Sequence, residues 1–163
     1  MSTDLENRLR SLGISLPPAA PPSALYSSFI IENRLLYISG QLPLLNGEVQ
    51  FKGKIGEDIS LEDAQKAAYV CGLNILAQVR LACEESFERI KRCVRLGGFL
   101  NTTPSFSDHS KVMNAASDLI IQVFGNLGRH TRSSIGVTSL PLNAALEIEA
   151  VFALEDEEVT PFS

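Results

Sequence analysis

The chain has 163 residues, enough for one domain with a real core, and 45% hydrophobic with 20% charged residues is the balance of a globular protein. A net charge of −5 and a pI near 5.0 argue against a sequence-blind grip on nucleic acid, which needs clustered Lys and Arg. No apolar run is long enough to span a bilayer, and Cys71, Cys83 and Cys93 have neither an even count nor CxxC spacing, so neither a disulfide frame nor a zinc site is expected. With no signal peptide to read, the expected compartment is the cytosol.

In chain order, Thr3 and Glu6 stand at capping-box spacing ahead of Leu5, Leu9 and Leu12, with Gly13 as a stop. This predicts a short amphipathic helix packed on the domain or on a neighbour. Pro17, Pro18, Pro21 and Pro22 make an extended connector. The division is therefore residues 1–24 as helix and connector, and 25–163 as the domain.

Within the domain, Tyr26 to Glu32 and Leu35 to Ser39 are β-rich runs split by a tight turn at Asn33-Arg34. Gly40 to Pro43 should break the second run. Asn46-Gly47 is the strongest turn signal, so Glu48 to Phe51 should form a third short strand. Ser60 can cap a long helix to about Glu84, with Glu62 and Asp63 in its first turn. Gly72 within it suggests close packing against a sheet. A turn over Ser86 to Lys91 leads to a strand from Arg92 to Leu100, with a bulge or close backbone approach at Gly97-Gly98. The basic residues Arg89, Lys91, Arg92 and Arg95 there read as one solvated edge. A second helix runs from about Ser107 to Phe124, ended by Gly125 and Gly128.

The closing stretch reads as a strand from Ser133 to Val137, a loop with Pro141 and Asn143, and a strand from Ala145 to Leu154. In that last strand Leu146, Ile148, Ala150 and Phe152 share one face, and Glu147, Glu149, Val151 and Ala153 the other. The element order predicts an α+β fold with two helices on one face of a mixed sheet. The opposite face, left bare, points to self-association.

Taken together, Ser39-Gly40-Gln41, Asn114, Arg132-Ser133-Ser134 and Leu146-Glu147-Ile148-Glu149-Ala150 make the chain from Leu25 onward resemble the Rid (YjgF) family. These are reactive-intermediate deaminases, called L-PSP endoribonucleases in an older label. The resemblance implies a chorismate-mutase-like α+β domain, trimer-forming, with clefts between subunits. It also implies cofactor-free hydrolysis of enamines and imines such as 2-aminoacrylate to 2-oxo acids and ammonia. By resemblance the carboxylate-binding arginine falls on Arg132 and the water-orienting glutamate on Glu147. Pocket roles fall on Tyr26, Ser39 and Asn114, and a substrate-holding backbone amide on Ser134. His130, two residues before the arginine, Gly136 after the site strand, and the segment Asn101 to Asp108 depart from the usual pattern and mark a divergent subgroup.

The chemistry suits the residues. Arginine matches a carboxylate with a planar fork and does not deprotonate. A glutamate can orient water and pass its proton to the leaving nitrogen. No metal or cofactor is called for. His109 reads as an exposed helix-start residue, and His130 as a candidate for the cleft mouth. Ser133-Ser134 lacks a nucleophile elbow. The alternative is non-catalytic binding or sensing of small carboxylates in the same inter-subunit cleft. Ribonuclease activity is disfavoured by the acidic chain and the absence of paired histidines, and no membrane partner is expected.

Overall fold

The computed structural model describes residues 4–85 and 87–156. Thr3, the expected helix cap, and Ser86, the start of an expected turn, lie outside the described residues. The elements are α1 (Asp4–Ser11), β1 (Phe29–Glu32), β2 (Leu35–Gln41), β3 (Leu44–Leu45), β4 (Glu48–Val49), α2 (Leu61–Ala82), β5 (Ile90–Asn101), α3 (His109–Phe124), β6 (Thr131–Val137) and β7 (Leu146–Leu154). Short 3-10 turns occupy Gly125–Gly128 and Pro141–Asn143.

Five strands form a mixed sheet in the order β1-β2-β7-β5-β6. Only β5 and β6 are parallel, as expected of strands joined through a helix rather than a hairpin. Asn33 and Arg34 both take positive φ, 50° and 63°, so β1 and β2 close through a tight primed turn. Ser60 caps α2 by accepting the Asp63 N–H at 3.1 Å. On β7, Leu146, Ile148, Ala150 and Phe152 are all buried beneath α2 and α3, as the period-two pattern requires. The α+β class and the helix-covered face stand, with α1 as a third helix.

The differences are local. Tyr26 precedes β1 in a bend, its N–H bonded to Ala24 O at 2.9 Å, so the first strand starts three residues later than expected. β2 does not break at Gly40 but runs on to Gln41 through a register shift against β7, which absorbs the glycine. Asn46-Gly47 turns a two-residue hairpin whose first arm, β3, is too short to carry a pattern. β6 begins at Thr131, which places Arg132 inside the strand rather than at its head. Gly72 faces α3, not the sheet: a Cβ there would meet Leu119 Cδ2 at 2.9 Å. The β5 irregularities lie at Ile90/Arg92 and Cys93/Arg95, while Gly97 and Gly98 admit the side chains of Glu149 and Met113. Lys91 and Arg92 are exposed where β5 extends past the start of β6, whereas Arg95 is half-buried on the uncovered face.

The N-terminal helix packs on the domain. Leu9 is buried against the core, and Arg8 donates to Val123 O at 3.2 Å near the end of α3. The connector crosses α2, where Gln78 donates to Ala20 O at 2.7 Å. Among the described residues no helix is long and apolar enough to cross a membrane.

Candidate functional site

In a sheet, residues paired in register point to the same side, so the register places each candidate side chain. Arg132 is paired with Leu96, a core residue, and therefore points to the helix side of β6. Glu147 is paired with Phe99, and its strand neighbours Leu146 and Ile148 are buried, so it points to the uncovered side. The two lie on opposite faces, two strands and three register steps apart. That is a separation of about 10 Å across the strands and about 10 Å along them.

The candidates thus fall into two groups. On the helix side, Arg132 Nη1 donates to Asn114 Oδ1 at 3.0 Å and to Ser117 Oγ at 2.9 Å, and Nη2 reaches Ser110 O at 3.5 Å. Asn114 and Ser117 are three apart on α3 and so share a helix face toward the edge strand. Ser117 also meets His130 Nε2 at 2.8 Å, and His130 Nδ1 meets Gly128 O at 2.6 Å. Ser134, two residues beyond Arg132 on the same face, has a buried Oγ with no hydrogen-bond partner. Burial draws the guanidinium below its ordinary pKa, though it stays charged at neutral pH. Among the described residues no carboxylate pairs with it.

On the uncovered side, the Glu147 carboxylate lies directly over Gly40. A Cβ there would overlap it, so Ser39-Gly40-Gln41 is where β2 makes room for the carboxyl. Burial, and secondarily Glu149, push the Glu147 carboxyl above its ordinary pKa. Ser39 donates to Ser27 O at 2.6 Å, and Tyr26 is exposed nearby in sequence, its hydroxyl 3.4 Å from Ser23 Oγ. A hollow of 340 Å³ on this face is lined by Phe29, Tyr37, Ser39, Arg95 and Glu149. The register therefore brings Arg132 and Asn114 together on one side, and Glu147 and the Ser39-Gly40 bend on the other, but does not join the two groups within one chain.

Ser117 is the residue that sequence reasoning missed. Its signal was a small polar position three after Asn114, and so on the same face of a helix that also carries Asp118 and Gln122. His109 does begin α3, but it is half-buried rather than exposed. Its ring packs against Phe106 at 5.3 Å between centroids, and Nε2 occupies the space over Gly136. The thiols offer no nucleophile. Burial raises Cys83 to about 11, Cys93 to about 12, and Cys71 well above its ordinary value. Among the described residues no cluster of three or more His, Cys, Asp or Glu side chains could hold a metal.

Residues 6–154 match the family model described as "YjgF/chorismate_mutase-like, putative endoribonuclease". The chain belongs to the YjgF (Rid) family. Within it, this member is 40% identical over 149 residues to Protein TCP17 of Trypanosoma cruzi, covering 91% of this chain and 92% of that one. A crystal structure of a protein of unknown function from Agrobacterium tumefaciens superimposes with a TM-score of 0.85 at 41% identity, over 93% of this chain and 94% of its own. The crystal structure of a "putative endoribonuclease" from Shewanella oneidensis superimposes with a TM-score of 0.89 at 34% identity, over 93% of this chain and 100% of its own. The chorismate-mutase-like α+β fold of the YjgF family is thus the fold of this chain.

Proposed function

We propose that this YjgF-family protein hydrolyses small 2-imino acids, and the enamines that tautomerise to them, at a cleft built from two copies of the chain. The observation that carries the reading is the Arg132 guanidinium. It is half-buried and oriented by Asn114 and Ser117, and no carboxylate partner stands beside it among the described residues. A partly desolvated cation gains from a counter-charge, and a substrate carboxylate gripped by the fork supplies it.

Water then adds to the imine carbon, oriented by Glu147 of a second copy. Collapse of the tetrahedral carbinolamine breaks the C–N bond, and the proton taken from water goes to the departing nitrogen. An imine plus water becomes a 2-oxo acid plus ammonia, with no change in oxidation state. Burial raises the Glu147 pKa, which makes the carboxylate a better proton acceptor than an exposed one. Tyr26, Ser39 and the Ser134 amide complete the proposed pocket. Ile30, Tyr37 and Ile135, all exposed on the uncovered face, favour assembly into a homotrimer through that face.

The test generates imines with an amino-acid oxidase and traps them with semicarbazide. Wild-type protein should lower the trapped imine, and Arg132→Ala should lose that effect by at least about 100-fold. Equal, slow depletion by both proteins would sink the enzymatic reading. A second reading, carboxylate binding without turnover, is favoured by the anchor group being complete in one chain while Glu147 stands apart. Stabilisation by millimolar 2-oxobutyrate with no deamination would select it.

A further inference from the structure

We infer that His130 is a positioning residue for the Arg132 guanidinium, acting through the Ser117 hydroxyl from an anchor at the Gly128 carbonyl. As part of a ligand site the inference rests on Arg132 being a carboxylate anchor. The chain of bonds itself does not.

The polarities follow from the geometry. A carbonyl oxygen can only accept, so the 2.6 Å contact to Gly128 O puts the proton on His130 Nδ1. Neutral imidazole then has a bare Nε2, which accepts from the Ser117 hydroxyl at 2.8 Å. With its proton committed to His130, the Ser117 oxygen presents lone pairs to Arg132, whose Nη1 donates at 2.9 Å. Every donor faces an acceptor in one direction. Burial, with Arg132 beside it, draws His130 below its ordinary pKa despite the Gly128 bond, so the ring is neutral at pH 7 as the arrangement needs.

The origin of the relay is rigid. Gly128 is buried where a Cβ would meet Ile120 O at 2.5 Å, so its backbone lies hard against the last turn of α3. The 3-10 turn over Gly125–Gly128 thus sets where the imidazole hangs, the imidazole sets the Ser117 proton, and Ser117 with Asn114 sets the guanidinium plane. A long arginine at a sheet edge has many rotamers. Two fixed acceptors hold Nη1, and with Ser110 O at 3.5 Å from Nη2 they leave the Nε–H and the second Nη2–H presented to a ligand.

The test measures 2-oxobutyrate affinity by calorimetry for wild type, His130→Ala, Ser117→Ala, the double variant and His130→Gln, whose amide oxygen can replace the Nε2 acceptor. Each alanine variant should weaken binding on the order of tenfold, the loss of one charged hydrogen bond. The double variant should be no weaker than either single, because both cut one path, and His130→Gln should recover most of the affinity. Wild-type affinity in His130→Ala, additive losses, or no recovery in His130→Gln would overturn the relay. Should His130→Ala not fold, Ser117→Ala and His130→Gln still decide it.

Arg132→Ala separates the two layers. If it binds 2-oxobutyrate as wild type does, or if wild type does not bind, the carboxylate-anchor reading fails on its own. The ligand-free protein then decides the relay through the Arg132 guanidinium N–H signals in nitrogen-15 NMR. Restricted rotation in wild type and His130→Gln but averaging in His130→Ala supports it; the same spectrum in all three overturns it.

Discussion

Glu147 is held between desolvation and a neighbouring carboxylate. Its carboxylate occupies the space a side chain at position 40 would take, half out of water and near Glu149, and its pKa rises from an ordinary 4.5. A carboxyl whose folded pKa lies above its unfolded one favours folding while protonated. That contribution is complete below the unfolded value and is lost as pH rises through the folded one. Glu147→Gln should therefore raise Tm at pH 7, by no more than about 2 °C because the group is only half-buried and screened by water. The gain should vanish below about pH 4, where both residues are neutral. Melting curves at the two pH values check this, and a stabilisation independent of pH would refute the desolvation account. Period two placed Glu147 on the face opposite the core from sequence, and resemblance gave it a role. Its contact with Gly40 depends on the β2–β7 register shift, which no local pattern announces.

At the scale of elements, legibility followed how local the causes were. The Asn33-Arg34 turn and the Ser60 cap are decided within four residues, and both stand where the sequence put them. β3 has two residues and forms only because Asn46-Gly47 folds it onto β4. The Arg132 network was hidden because Ser117 meets His130 and Arg132 only once α3 packs beside β6. The N-terminal helix was readable as amphipathic, but its docking surface was not. Leu9 is 3% exposed, and Arg8 ties α1 to the end of α3 by Val123 O. If α1 is part of the fold's core rather than an appendage, Leu9→Ala should cost about 2–3 kcal/mol and lower Tm by roughly 5–10 °C. A change of less than about 1 °C would show that the helix contributes little.

The whole molecule has two unlike sides. One sheet face is sealed by α2 and α3, while the other exposes Ile30 and Tyr37 beside the hollow near Ser39, and Ile135 on β6. Arg132 opens from the edge strand toward α3, and Glu147 from the uncovered face, so no rotation of side chains within one chain brings them to one small ligand. A ring of identical chains solves this if the β6 edge of each copy meets the uncovered face of the next, a heterologous contact that closes after a fixed number of copies. Every site in such a ring uses Arg132 from one chain and Glu147 from its neighbour. Arg132→Ala and Glu147→Gln proteins should then each be inactive alone, yet regain activity when denatured together and refolded as a mixture. In an equal mixture a site is intact only when an Arg-bearing chain precedes a Glu-bearing one, so recovery should approach roughly a quarter of the wild-type rate. Recovery is impossible if both groups serve one ligand within a single chain. The deamination assay on the refolded mixture, run beside each variant refolded alone, therefore tests the two-chain cleft: a rate no higher than the sum of the separate variants excludes it.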